Sequence, residues 1–156
     1  MWSFKQLSET EGIVDAFIWQ HEFPKWLQLQ PLWSQDDIQP FTEYLDNGWR
    51  YGGYEADILR AVVHATPASA NIAEGHLYCE RKANPLLITA LLIFAKDDLF
   101  RHHGITTVIS PIRRKHKGLG KIVTNAGFSP SGMQMWAGLD GNDNLFETDL
   151  YLTAKE

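Results

Sequence analysis

Ile105-Thr106-Thr107-Val108-Ile109-Ser110-Pro111-Ile112, then Leu119, Ile122, Val123 and Ala126, then Gly127-Phe128-Ser129-Pro130-Ser131-Gly132 make up the stretch whose reading decides the fold. The first run is rich in β-branched residues and too apolar to be half exposed, as expected of a central strand covered on both faces. The apolar residues after it recur at helical spacing, and Gly127 stands where a helix ends in the left-handed conformation. Phe128 then turns back toward the core. Upstream, Leu86, Leu87, Ala90, Leu91, Ile93, Phe94 and Leu99 recur at helical spacing between Asn84-Pro85 and His102-His103-Gly104, which predicts one long helix. Downstream, residues 133–138 and 145–152 flank Asp140-Gly141-Asn142-Asp143-Asn144, a hairpin signal.

Toward the N-terminus, Trp2-Ser3-Phe4-Lys5-Gln6-Leu7 alternates as a strand, and Ser8-Glu9-Thr10-Glu11 has the capping-box spelling that opens a helix. Ile13, Val14, Phe17 and Ile18 are its expected buried stripe, and it ends before Pro24. A proline-punctuated connection carries Trp26, Leu29, Pro31 and Trp33. Ser34 is expected to cap a second helix with Ile38, Phe41, Tyr44 and Leu45 on one face, stopped at Asn47-Gly48. Residues 49–55, 58–65 and 72–79 read as three strands of an antiparallel meander. Gly52-Gly53, between Tyr51 and Tyr54, predicts a bulge or a close backbone approach.

At 156 residues the chain has room for a single domain over residues 1–156 with one real core. A net charge of -5 gives no electrostatic basis for nucleic-acid binding, although Arg113, Arg114, Lys115, His116, Lys117 and Lys121 form one basic island. Cys79 is the only cysteine, which excludes an internal disulfide and suits a reducing compartment. No apolar segment approaches the ~20 residues that span a bilayer, and the N-terminal order is not that of a secretory signal. A soluble, cytoplasmic protein without membrane contact is expected.

The element order as a whole (strand, two helices, three strands, long helix, strand, short helix, two strands) resembles the GNAT superfamily of N-acyltransferases, most closely from Ile105 to Gly132. The resemblance implies an α/β fold with a mixed, mostly antiparallel sheet of about seven strands and helices on both faces. It also implies that the strands at 72–79 and 105–112 splay apart, with acetyl-CoA held in the opening. One departure is clear. Where acetyl-CoA users of this superfamily place a glycine-rich loop before the long helix, this chain has Glu80-Arg81-Lys82-Ala83-Asn84-Pro85-Leu86. Arg81 and Lys82 remain to meet a phosphate and Asn84 to cap the helix. Lys115-His116-Lys117-Gly118-Leu119-Gly120 fits the loop's spelling but belongs to the later short helix or its entry. A degenerate loop of this kind resembles GNAT-like proteins of tailed bacteriophages, some of them head-assembly or internal virion proteins.

Acetyl transfer needs a deprotonated amine, a polarised thioester carbonyl and a proton for the leaving thiolate. Glu74, His76 and Tyr78 share one face by two-residue alternation, so Glu74 or His76 is the candidate base; the plain alternative is a solvated sheet face. Backbone N–H groups near Leu77 and Cys79 are the candidate carbonyl donors. The short helix has no tyrosine, so either His116 or Tyr151 substitutes as the acid or the thiolate leaves unprotonated. Arg113 and Arg114 are candidates for a coenzyme phosphate or solvated strand ends. Trp26, Trp33, Tyr51 and Tyr54 suit either an acceptor pocket or a protein-docking surface. His102 and His103 cap a helix, and no metal site is predicted. Two functions follow as expectations: an acyl-CoA-dependent transferase acting on an amine acceptor, or a noncatalytic protein of phage type working through virion-protein partners.

Overall fold

The computed structural model describes residues 1–28 and 37–156, with the backbone alone at 135–137. Trp33 and Ser34 lie outside the described residues, and the cap of the second helix is Asp37 rather than Ser34: its Oδ1 accepts from Gln39 N–H at 3.0 Å. In chain order the elements are β1 (Trp2–Leu7), α1 (Ile13–Glu22), a single 3₁₀ turn (Lys25–Leu27), α2 (Ile38–Asp46), β2 (Trp49–Glu55), β3 (Ile58–Pro67), β4 (Ile72–Cys79), α3 (Pro85–His102), β5 (Thr107–Arg113), α4 (Lys117–Asn125), β6 (Ser129–Leu139) and β7 (Leu145–Ala154). The strands form one sheet in the order β1-β2-β3-β4-β5-β7-β6. Every neighbouring pair is antiparallel except β4 and β5. The fold is therefore the mixed, mostly antiparallel α/β architecture that the element order implies.

The two faces of the sheet carry separate cores. On one, Leu87, Leu91, Ala95 and Leu99 of α3 and Val123 of α4 pack on Tyr51, Val63, Ala73, Val108 and Ile112. On the other, Ile13, Ala16 and Trp19 of α1 and Phe41 and Leu45 of α2 pack on Leu7, Val62 and Tyr78. Alternation along β3 sends Val62 to one core and Val63 to the other. Gly53 lies against α3: a Cβ there would stand 3.0 Å from Leu87 Cδ2. The β2–β3 register shifts at Gly53/Tyr54, so the expected bulge and the close approach coincide.

Helix α1 departs from its reading in two ways. The Ser8 N–H donates to Glu11 Oε1 at 3.2 Å as a capping box would, yet the helix begins only at Ile13. Glu9 at φ 52 and Gly12 at φ 78 are left-handed, which breaks a helical path between the box and the helix proper. The buried stripe is also rotated. Val14 and Ile18 are 58% and 50% exposed, while Ala16 and Trp19 face the sheet, because a small Ala16 lets the helix close and Trp19 covers more area than isoleucine. In α3, Leu86 and Ile93 are exposed and Ile88, Leu92 and Ala95 replace them in the core. Helix α4 ends as expected: Gly127 sits at φ 96, its N–H donates to Thr124 O, and Phe128 N–H donates to Val123 O.

Buried polar anchors place the helices over the sheet. Arg50 donates to Leu45 O at 2.9 Å and Glu11 O at 3.2 Å, and also to Glu9 O, tying β2 to the end of α2 and the start of α1. Across the sheet, Tyr51 OH donates to Asp98 Oδ2 at 2.7 Å, and His103 Nε2 lies 3.1 Å from the same oxygen. Tyr51 is fully buried, so losing this carboxylate leaves its hydroxyl without an acceptor. Asp98→Ala is expected to lower unfolding free energy by about 2–3 kcal/mol, the scale of a hydrogen bond to a charged group plus an orphaned partner. Chemical denaturation of the variant measures this directly; a loss below about 0.5 kcal/mol contradicts it.

Candidate active site

The pairing of β4 with β5 stops early. It runs through Ile72↔Thr107, Ala73↔Val108 and Glu74↔Ile109 and no further among the described residues. The cause lies in β5. Thr107 N–H reaches Asn71 O at 3.3 Å, so by two-residue steps the donor due opposite Gly75 O is residue 111. Pro111 has no N–H to give, and Ser110 Oγ bonds to Gly75 O instead, at 3.1 Å. Past this point the strands separate. The opening between them, floored by α3 and α4, is a cavity of about 680 Å³.

Glu74 stands at the branch point. Its carboxylate lies 3.7 Å from His76 Nε2, and both line the cavity together with Tyr44. The His76 ring holds the Glu74 carboxyl below its ordinary value, against burial, which pushes the other way. Burial and the Glu74 charge push the Tyr44 phenol up to about 12, so it stays a hydrogen-bond donor. On the same face of β4, Tyr78 is buried against α1 and α2, whereas the Glu74 and His76 side chains keep 37% and 27% of their surface exposed. Gly75 O points to β5, and alternation turns the backbone groups of Leu77 and Cys79 the same way, into the opening. The Cys79 thiol is pushed up to about 11 by burial and by Glu80, which keeps it protonated.

His116 lines the opposite wall. Its Nδ1 accepts from Leu119 N–H at 3.2 Å and so caps α4, and its ring meets Trp26 edge-on with 6.0 Å between centroids. Burial lowers its pKa. A neutral ring whose Nδ1 accepts carries its hydrogen on Nε2. Trp26 is 37% exposed and does not itself line the cavity.

The phosphate candidates divide. Arg81 lines the cavity and Lys82 is exposed in the turn beside it. The N-terminus of α3 is already occupied: Asn84 Oδ1 accepts from Leu86 N–H at 2.9 Å, and Pro85 has no N–H. Bare N–H groups of a phosphate cradle are thus missing from its first two positions. Arg113 donates to the carbonyls of Trp26, Leu27 and Gln28 rather than facing open space. Arg114 points to the other face, where it pairs with Glu147 and, at 3.4 Å, with Asp149. It lines an adjoining hollow with Lys117, Lys121 and Tyr151, which shares Arg113 and His116 with the main cavity; Tyr151 does not line the main cavity. Tyr51 and Tyr54 lie on β2, away from the cavity: Tyr51 is core, and the Tyr54 ring lies under Lys5 Nζ at 5.5 Å.

The structure thus gathers Glu74, His76, Leu77, Cys79, Arg81, Arg113 and His116 around one cavity; Trp26, Tyr51, Tyr54, Lys82, Asn84, Arg114 and Tyr151 do not line it. Sequence reading missed Tyr44, Ser110, Phe23, Pro24 and Leu27 as lining residues. A proline inside a β-branched run was the available sign for Ser110 and its neighbour. Among the described residues no group of His, Cys, Asp or Glu is placed to hold a metal ion, and no helix is long and apolar enough to cross a membrane.

No protein-family model matches the sequence, and no curated protein does. Solved structures match over nearly the whole chain. The Salmonella typhimurium protein yncA, solved with its cofactor acetyl-CoA, superposes with a TM-score of 0.79 at 11% identity, covering 100% of this chain and 95% of that one. A chimera of spermidine N-acetyltransferase from Vibrio cholerae gives 0.77 at 13% identity, covering 98% and 95%. The GNAT-family acetyltransferase of Streptococcus pneumoniae gives 0.75 at 10% identity, covering 99% and 100%. The chain has the GNAT fold.

Proposed function

We propose that this chain is an N-acyltransferase that holds an acyl thioester in the opening between β4 and β5 and takes an amine at Glu74. The observation that carries the reading is the end of β4–β5 pairing at Glu74↔Ile109, which puts a carboxylate and unpaired backbone at one point. Acetyl-CoA bound there supplies an activated acyl group. Glu74, ionised at neutral pH, attracts the ammonium form of the acceptor and takes its proton, directly or through a water. The backbone N–H groups of Leu77 and Cys79 are oriented to polarise a carbonyl in the opening. As the C–N bond forms and the C–S bond breaks, the nitrogen sheds its second proton to solvent, from which the leaving sulfur is protonated, and His116 Nε2–H is the wall group able to donate a hydrogen bond to that sulfur. Arg81 and Lys82 are the cations nearest the expected phosphates, taking the place of a glycine-rich loop.

The occupied N-terminus of α3 favours a second reading, a noncatalytic protein of bacteriophage type that uses this fold for contacts within a virion. A thermal melt with acetyl-CoA and with CoA separates the two. At ~100 times its dissociation constant a ligand adds roughly 2.7 kcal/mol to stability, so a clear upward shift is expected. An unchanged melt at millimolar coenzyme removes the transferase reading and leaves the second.

A further inference from the structure

We propose that Arg113 is a positioning residue that sets acceptor specificity, by clamping the 3₁₀ turn Lys25–Leu27 in place as the outer wall of the cavity. This rests on the transferase reading above. The turn is far from β5 in sequence, and its own backbone bonds, Leu27 N–H to Pro24 O and Gln28 N–H to Lys25 O, hold only its shape. Its position comes from elsewhere. The Arg113 guanidinium donates to Trp26 O at 2.5 Å, Leu27 O at 3.3 Å and Gln28 O at 3.4 Å, collecting three successive carbonyls in one planar fork. Its other side is fixed by the Phe146 ring, with Cζ 3.2 Å from the centroid. Gly141 N–H donates to Lys25 O at 2.8 Å, and a Cβ at this glycine would stand 2.7 Å from that oxygen.

The clamp determines what the cavity admits. Phe23, Pro24 and Leu27 form an apolar wall on the cavity that Glu74 and His76 also line. A wall held by backbone carbonyls at fixed distance cannot recede for a larger acceptor, whereas a loosened one can. The acceptor that fits is a cationic primary amine with a compact apolar body: the ammonium at Glu74, the body against Phe23 and Leu27. Arg113 also cannot serve as a coenzyme phosphate ligand while its fork is engaged with three carbonyls.

The test uses full-length Arg113→Met and Arg113→Lys. Lysine keeps the charge but replaces the fork with a point donor, and it keeps the question open should the methionine variant not fold. Amide hydrogen exchange at residues 24–28 is expected to rise in both. The kcat/KM preference for a compact over a bulky primary amine is expected to fall by about tenfold or more, since a wall of this kind discriminates by a few methylenes. The melt shift given by acetyl-CoA should be retained. Unchanged exchange overturns the clamp, and faster exchange with an unchanged amine preference overturns the specificity role. Loss of the coenzyme shift would make Arg113 a phosphate ligand and overturn the assignment. If the wild type transfers acyl groups to no amine, the transferase reading fails and the specificity role with it, while the exchange result still judges the clamp.

Discussion

Glu74→Gln is expected to cut acyl transfer to an amine by about a hundred- to ten-thousand-fold, the range a positioned general base supplies. Glutamine keeps the size of the side chain and removes the charge and the basicity, so stability and coenzyme binding should stay near those of the wild type. The pH dependence adds a second, independent sign. Because His76 holds the Glu74 carboxyl below its ordinary value, the working, ionised form persists to more acid pH than for a free glutamate. Activity requiring that carboxylate is lost as pH falls through its lowered pKa. In His76→Ala the depressing influence is gone, the Glu74 pKa rises, and the acid limb of the kcat/KM profile moves to higher pH. A Glu74→Gln enzyme with the wild-type rate, or an acid limb that stays put in His76→Ala, would remove this pair from the mechanism.

The other large effect is on stability and centres on His64. This side chain is fully buried under α2; its Nε2 lies 2.7 Å from Asn47 O and donates to it. Its Nδ1 is buried without a hydrogen-bond partner among the described residues. Protonating Nδ1 would place a charge with no acceptor beside the Tyr44 ring, whose centroid is 5.0 Å away. Burial lowers the His64 pKa to about 4, with His76 and Arg50 adding smaller repulsions. In the unfolded chain the same group titrates near 6.5. Between these values the unfolded state binds the proton and the folded state does not, so stability is whole above about pH 6.5 and declines as pH falls toward 4. The slope is at most about 1.4 kcal/mol per pH unit, and the whole loss is of order 3 kcal/mol. His64→Gln keeps a donor for Asn47 O and cannot titrate. Urea melts at pH 7.5, 6, 5 and 4 should therefore show a steep decline for the wild type and a shallower one for the variant; equal slopes would exonerate His64.

Much of the fold is legible in local signals, because those signals act within a turn or a strand. Asn84 before Pro85 caps α3, and Gly127 with Phe128 closes α4 through backbone bonds that need φ 96. Gly52-Gly53 marks both a bulge and the approach of α3. The site was half legible. Two-residue alternation alone puts Glu74 and His76 on one face of β4, and they line one cavity. The neighbouring Arg113 and Arg114 read as one basic island, yet alternation sends them to opposite faces: one clamps the 3₁₀ turn, the other pairs with Glu147 and Asp149. Tyr51 read as a pocket or docking-surface aromatic and is core, with Asp98 satisfying its hydroxyl.

By itself, then, the sequence determined the elements, their order, the Asn84 cap of α3 and the Gly127 stop of α4, all of which depend on neighbours a few residues apart. The tertiary structure alone decided which stripe of α1 is buried, where β4 and β5 part, and what Arg113 holds. Each of these is settled by a partner distant in the chain: the sheet under Ala16 and Trp19, the Gly75 carbonyl that Pro111 cannot serve, and the carbonyls of Trp26, Leu27 and Gln28. A hydrogen bond or a packed face needs both partners in place before either residue's role exists, and no local pattern carries that information.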